Sequence, residues 1–432
     1  MSKEMIFLDN RQKLVINGGR RLEGELSVGG AKNSALPLLS AAVLAHGESV
    51  FHNCPQLTDV DAACRILSCL GCRCQRSGST VSVDAANVSG SEIPDALMRE
   101  MRSSIVFLGA VLGRTGRCRL SFPGGCELGA RPIDLHILAL RQMGAEITEE
   151  HGYLECSAPV GLRGARITLS FPSVGATENI MLAAVTASGV TEIHNAAREP
   201  EICDLADYLT KCGARICGAG ESVIFVEGVS RLECAEHSVI PDRIAAGTYL
   251  CAAAITRGEL ILTNCEPCHM TAFIPVLESM GCRVYSYGGG KLFLSSPKRL
   301  KAPSTIRTMP YPGFPTDIQA PFTALCSVAE GTSVFVETIF ENRFRHASEL
   351  TRLGAAIKVE GRVAIIQGVQ RLSGAKLCAA ELRGGAALVT AALSAEGTSE
   401  ISGLCYIDRG YESIEKQLRL LGADIKRVND NS

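Results

Sequence analysis

Two short segments combine residue types that could move a proton. The first is Pro123-Gly-Gly-Cys126-Glu-Leu-Gly-Ala-Arg131-Pro132-Ile133-Asp134-Leu135-His136. A cysteine on flexible backbone with a guanidinium five residues on is a candidate thiolate, because a nearby cation favours the ionised form. The bland alternative is one more buried thiol in a surface loop. The second segment, Phe314-Pro-Thr-Asp317, sets a carboxylate at a helix start. There it could act as a base or cap the helix. Further acids stand beside arginines in Phe340-Glu341-Asn342-Arg343 and Asp408-Arg409-Gly410-Tyr411-Glu412. The cations that recur at one phase of the chain are Lys32, Arg102, Arg131, Arg343, Arg383 and Arg409. Several stand at helix starts such as Gly29-Gly30-Ala-Lys32-Asn33 and Glu381-Leu-Arg383, and Ser173-Val174-Gly175 is a further start; free N–H groups there attract anions. These pieces point to an enzyme acting on a small, highly anionic substrate, with a cysteine in its cleft.

The whole chain bounds that reading. Its 432 residues suggest two to four domains, and 46% hydrophobic residues can build sizeable cores. With 43 basic and 45 acidic residues, a general nucleic-acid binder is excluded as an expectation, since that needs a basic excess. The nineteen cysteines form an odd count, expected as free thiols in a reducing compartment. The start, Met-Ser-Lys-Glu-Met-Ile, lacks a charged-then-apolar leader, and no apolar run approaches the ~20 residues of a membrane span. A soluble, cytoplasmic protein without membrane or nucleic-acid partners is expected. No His-x-His or His-Glu-x-x-His pattern occurs. Cys69-x-x-Cys72 and Cys265-x-x-Cys268 resemble zinc spacing, but Cys72 and Cys282 fill a slot that holds Ala elsewhere, so they read as core residues and no metal is expected.

That slot belongs to a repeat. An apolar residue or Cys, then Gly, then Ala or Cys recurs at Gly71, Gly144, Gly213, Gly281, Gly354 and Gly422. The intervals are 73, 69, 68, 73 and 68 residues, giving six units of about 70 residues. Each contains an earlier Gly (Gly47, Gly116, Gly189, Gly258, Gly331, Gly397) that closes a small-residue helix and opens an alternating strand. A second helix and a hairpin follow, so each unit is mixed α/β. The second unit carries extra length in the Cys126 loop, and an insertion into a symmetric framework reads as functional. The sixth unit lacks its last strand, and Val15-Ile-Asn-Gly18 matches Phe225-Val-Glu-Gly228 and Ile365-Ile-Gln-Gly368. The expected organisation is therefore residues 32–240 as one three-repeat domain and residues 1–31 with 241–432 as the other.

Several phrases together resemble the enolpyruvyl transferase family, from about Lys13 to Val428. They include Gly30-Ala-Lys32-Asn33-Ser, Met101-Arg102-Ser-Ser, Pro123-Gly-Gly-Cys126, Ala130-Arg131-Pro-Ile-Asp134, Pro315-Thr-Asp317-Ile, Phe340-Glu341-Asn-Arg343 and Asp408-Arg409-Gly-Tyr. The resemblance implies two inverse α/β barrels of three repeats each. It implies transfer of the enolpyruvyl group of phosphoenolpyruvate to the 3-hydroxyl of UDP-N-acetylglucosamine, with release of phosphate, as the committed step of peptidoglycan synthesis. Roles in cell-wall biogenesis, cell shape and cell division follow from that step, and no cofactor is required. By the same resemblance Cys126 donates a proton, forms a pyruvate adduct and is the target of fosfomycin, and Asp317 takes the sugar proton. Lys32, Arg131 and Arg409 hold phosphoenolpyruvate, with Asn33 placing Lys32. Arg102, Arg131, Pro132, Ile133, Asp134, Leu135, Ser173, Val174, Gly175, Asp317 and Ile339 contact the UDP-sugar, and Glu341, Arg343 and Arg383 support them. Phe171, Ala245 and Glu381 depart from residues common in the family. Competing readings are the sibling that acts on shikimate 3-phosphate and a UDP-sugar-binding regulator without turnover. The oligomeric state stays open and is compatible with a monomer.

Overall fold

The computed structural model describes residues 12–101, 103–122 and 133–429. Arg102, Cys126, Arg131 and Pro132 lie outside the described residues.

Among the described residues, six four-stranded sheets share one plan. In the third repeat, Arg166–Thr168 runs parallel to Val190–His194; this pairs antiparallel with Val223–Glu227, which pairs antiparallel with Arg215–Cys217. Strict alternation makes one face of each sheet apolar: Ile224 and Val226 are buried while Phe225 and Glu227 face out. The parallel pair needs a crossover, and the helix Val174–Ala184 supplies it. Such crossover helices are apolar on all sides and buried, as in Arg243–Ile255, Thr316–Cys326 and Leu382–Ser394. They pack against one another inside, so the helices fill the centre and the sheets form the wall. Small residues allow the approach: a Cβ on Gly247 would stand 2.7 Å from the Ile318 side chain. The second helix of each repeat is amphipathic, as in Pro200–Lys211, which buries Ile202, Leu205, Ala206 and Leu209 and exposes Asp207 and Lys211.

Three sheets recruit a strand from far along the chain. Glu236–Ser238 runs parallel to Glu48–His52, and Glu23–Ser27 runs parallel to Glu259–Thr263. Gln12–Asn17 inserts between Thr398–Ser402 and Asp424–Asn429, antiparallel to both. The described chain forms two compact units, one of residues 12–29 and 241–429, the other of residues 30–101, 103–122 and 133–240. Each has its own apolar core.

The repeat phrase has a backbone cause. All six of its glycines have φ between 93° and 100°, the left-handed conformation that ends a helix and that only Gly adopts at low cost. The earlier Gly is not uniform. At Gly258 the left-handed residue is instead Arg257, with φ 59°, and Gly258 is needed because a Cβ there would lie 2.1 Å from the Leu22 carbonyl oxygen.

Candidate functional site

Asp317 lies in the first turn of the helix Thr316–Cys326. No side chain caps this helix, so the capping alternative for Asp317 does not hold. Its oxygens instead accept from two arginines. Arg343 Nη2 donates to Oδ1 at 2.8 Å and to the Thr316 carbonyl at 3.2 Å. Arg383 donates to Oδ2 from Nη2 at 3.0 Å and from Nε at 3.3 Å. Both guanidinium side chains are buried, 3% and 4% exposed, whereas Asp317 is 28% exposed. The rings of Phe340 and Tyr411 lie 5.4 and 5.5 Å from the Arg343 and Arg383 guanidinium carbons. Arg343 Nε and Arg383 Nη1 are buried without a hydrogen-bond partner among the described residues. Two buried cations thus share one partly exposed carboxylate, an excess of positive charge at one point in a chain of nearly balanced charge.

Local sequence explains how these groups are presented. Arg383 opens the helix Leu382–Ser394, whose N-cap is Glu381; that carboxylate accepts from the N–H of Arg383 at 2.9 Å and from that of Gly384. Glu381 thus fills the cap position, one of the departures noted in the sequence, with its own carboxylate. Arg343 sits in the loop after the strand Thr332–Val336. Beside it His346 is buried, both ring nitrogens lack a partner among the described residues, and burial together with the Arg343 charge pushes its pKa down to about 3. Arg409 is half-buried in the turn after Leu404–Ile407. Its neighbour Asp408 is gripped by Arg427 through two bonds of 2.6 and 2.8 Å. Ile339 is half-buried. Glu341 does not join the Asp317 cluster: it is exposed and pairs with Arg362 at 3.1 Å.

In the other unit, Lys32 begins the helix Lys32–Ala41, is buried, and pairs with buried Asp59 at 2.5 Å. Asn33 is exposed. Ser173 caps the helix Val174–Ala184 by accepting from Ala176 N. Gly175 faces His136, where a Cβ would lie 3.3 Å from the ring, so the start of Asp134–Gln142 sits against the start of Val174–Ala184. Asn179 ties the two together, donating to His136 Nδ1 at 2.8 Å and to the Ile105 carbonyl at 2.9 Å while accepting from Gly109 N at 2.7 Å. Ile133, Asp134, Leu135, Ser173, Val174 and Gly175 therefore gather at one place. Buried Glu178 on the same helix has its pKa raised well above the ordinary carboxylate value by burial, then by Glu201 and Glu199.

The slot cysteines are core residues here. Cys72 and Cys282 are buried, and burial pushes both thiols up to about 11. Two acids escaped the reading of the sequence. Asp59 occupies the repeat slot of Glu201, twelve residues before the helix-ending Gly, and an acid in the same slot twice was the available signal. Glu337 is the other, an acid in a slot that holds Asn in three of the other repeats.

The chain matches the family model described as EPSP synthase (3-phosphoshikimate 1-carboxyvinyltransferase) over residues 16–418. It is 54% identical to UDP-N-acetylglucosamine 1-carboxyvinyltransferase 2 of Caldanaerobacter subterraneus subsp. tengcongensis, covering 96% of this chain and 99% of that protein. It is 51% identical to UDP-N-acetylglucosamine 1-carboxyvinyltransferase 1 of Symbiobacterium thermophilum, covering 96% and 95%. Among solved structures it resembles the enolpyruvyl transferase NikO from Streptomyces tendae, with TM-score 0.88 and 26% identity over 97% of this chain and 99% of that one. EPSP synthase from Acinetobacter baumannii shares the fold, with TM-score 0.74 and 19% identity over 97% and 100%.

Proposed function

Because the chain belongs to the EPSP synthase family of enolpyruvyl transferases, we propose that it is a UDP-N-acetylglucosamine 1-carboxyvinyltransferase acting in peptidoglycan precursor synthesis. The single observation that carries the substrate choice is 54% identity, over nearly the whole of both chains, to a relative with that name.

The reaction is a two-stage exchange. The sugar 3-hydroxyl oxygen bonds to C2 of phosphoenolpyruvate as C3 takes a proton, giving a tetrahedral adduct that still bears phosphate. C3 then loses a proton, the C2–O bond to phosphate breaks, and inorganic phosphate leaves an enolpyruvyl ether. The first stage needs a base at the hydroxyl and an acid at C3. We assign the base to Asp317 and the acid to Cys126. A carboxylate oriented by two guanidinium groups yet partly open to solvent suits the first role. Lys32, Arg131 and Arg409 are assigned to the phosphate and carboxylate of phosphoenolpyruvate, with Asn33 placing Lys32. Arg102, Arg131, Pro132, Ile133, Asp134, Leu135, Ser173, Val174, Gly175 and Ile339 are assigned to the UDP-sugar, and Glu341, Arg343 and Arg383 to support. Asp59 holds Lys32 in place, and the ammonium, with three donors, has others to offer an anion. No helix of the described residues is long and apolar enough to cross a membrane. A cytoplasmic site, service to cell-wall growth and division, and sensitivity to fosfomycin belong to the same reading.

The test is phosphate release by the full chain with phosphoenolpyruvate and either UDP-N-acetylglucosamine or shikimate 3-phosphate, with product mass read by mass spectrometry. Release with the UDP-sugar alone, and a product carrying one added enolpyruvyl group, is expected. Release with shikimate 3-phosphate overturns the substrate choice, and UDP-sugar binding without release favours the regulatory reading.

A further inference from the structure

Glu337 breaks a rule that the repeats otherwise keep. Six residues after the earlier Gly of each repeat stand Asn53, Phe122, Asn195, Asn264, Glu337 and Gly403. The three asparagines are left-handed, with φ of 53°, 54° and 48°. Each donates from Nδ2 to the carbonyl of the residue just after the parallel edge strand: Asn53 to Val239 at 2.9 Å, Asn195 to Leu169 at 2.8 Å and Asn264 to Val28 at 2.6 Å. Gly403 is also left-handed, φ 75°, and packs so closely on Ala379 that a Cβ would lie 2.3 Å from its carbonyl oxygen. In these four repeats the slot turns the chain sharply, and in three of them its side chain ties the turn to the neighbouring strand. The two exceptions, Phe122 and Glu337, are the residues that lead into the Cys126 loop and into the Ile339–Arg343 segment.

At Glu337 the slot accepts instead of donating, and the tie to the carbonyl after the edge strand passes to the next residue, Thr338, whose Oγ1 donates to the Thr308 carbonyl at 2.6 Å. Thr308, the residue after the edge strand Thr305–Arg307, donates from Oγ1 to Glu337 Oε1 at 2.9 Å. The same oxygen accepts from the N–H of Ile339 at 2.8 Å and of Phe340 at 3.1 Å. Oε2 accepts from Thr316 Oγ1 at 3.0 Å. Glu337 as a whole is 1% exposed. The asparagines present a donor nitrogen to the edge strand, whereas Glu337 presents an acceptor oxygen that takes the Thr308 hydroxyl and two backbone N–H groups together. The acid thus joins the loop that carries Ile339 and Phe340 to the residue next to Asp317, and Phe340 in turn lies against the Arg343 guanidinium.

We infer that Glu337 is a positioning residue for the transfer reaction: Oε1 shapes the loop that meets the UDP-sugar, and Oε2 sets the helix start that presents Asp317. The inference rests on the functional reading above. Its two halves separate in experiment. Glu337→Ala removes both contacts. It should raise the KM for UDP-N-acetylglucosamine and lower kcat, each about tenfold or more, since small misplacements are costly. The KM for phosphoenolpyruvate should change by less than about threefold. Thr316→Val removes only the Oε2 contact and should lower kcat while the KM for the UDP-sugar stays near wild type. Glu337→Gln can keep its amide oxygen in the Oε1 place and donate to Thr316, so it should recover most of both parameters.

The measurements are steady-state phosphate release on the full-length variants, calorimetric titration with UDP-N-acetylglucosamine alone, and thermal melting. Should Glu337→Ala fail to fold, Thr316→Val and Glu337→Gln still carry the test. A wild-type protein that turns over both substrates while Glu337→Ala keeps its kcat and UDP-sugar KM overturns this inference alone. Equal loss toward both substrates in all three variants, following a lowered melting point, overturns it in favour of a merely structural role. A wild-type protein that releases no phosphate overturns the functional reading and this inference with it.

Discussion

Replacing Asp317 by Asn keeps the shape of the side chain and removes its charge. In the structure that charge answers two guanidinium groups, at 2.8 and 3.0 Å, whose side chains are only 3% and 4% exposed. Stranding a buried cation by deleting its partner costs about 3–5 kcal/mol. Asp317 is itself 28% exposed, so water reaches the carboxylate and screens the pair, and a loss of roughly 2 kcal/mol is the better expectation. Loss of a general base lowers kcat by about 10²–10⁴-fold. The amide keeps one oxygen acceptor, so the KM for the UDP-sugar should change far less than kcat. The assays are urea unfolding for stability and phosphate release with both substrates for kcat. Asp317→Asn combined with Arg383→Met should destabilise by less than the sum of the two single changes, because the second removes the charge that the first strands. A variant with kcat within about threefold of wild type would refute the assignment of Asp317 as base. Additive losses in the double variant would refute the electrostatic account of the cluster.

Three further outcomes are expected. His346 has its pKa lowered to about 3 by burial and by Arg343, so it stays neutral when folded while the unfolded chain takes up a proton below about pH 6.5. Its contribution is present above that value and lost as pH falls: going from pH 7.5 to 5.5 should cost the wild type roughly 1 kcal/mol more than His346→Leu in urea unfolding, and identical pH dependence in the two would remove this explanation. An epoxide phosphonate such as fosfomycin should alkylate Cys126 alone among the nineteen cysteines, by peptide mapping; Cys126→Ser should lose most activity and Cys126→Asp should keep some while resisting the reagent, and labelling elsewhere would leave the loop without its assigned acid. Gly354→Ala, at φ 93° with nothing within 4 Å of a new Cβ, should cost roughly 1–2 kcal/mol through backbone strain alone, and an unchanged urea midpoint would contradict that.

The resemblance already reached the enolpyruvyl transferase fold, and the repeat count agreed with it for a local reason. Each unit must stop a helix in the left-handed conformation, which confines six positions to Gly at nearly equal spacing. It must also bury one face of each strand, which leaves alternation such as Val223–Glu227. Constraints of that kind act within a few residues and so leave a trace in residue type. The earlier Gly shows the limit even there: five of the six are left-handed, but at Gly258 contact with Leu22, far away in the chain, sets the residue and moves the turn to Arg257.

The working contacts were decided elsewhere. Asp317 meets Arg343 and Arg383 across 26 and 66 residues, Lys32 meets Asp59, and Asp408 is held by Arg427. The sequence offered the charged residues but not their partners, because an ion pair asks only for opposite charge at one point in space and sets no spacing along the chain. It likewise left Asp317 open between capping and chemistry. The fold removes the capping alternative alone: the cap position falls to Pro315, which has no side-chain acceptor to offer, and two guanidinium groups take the Asp317 oxygens.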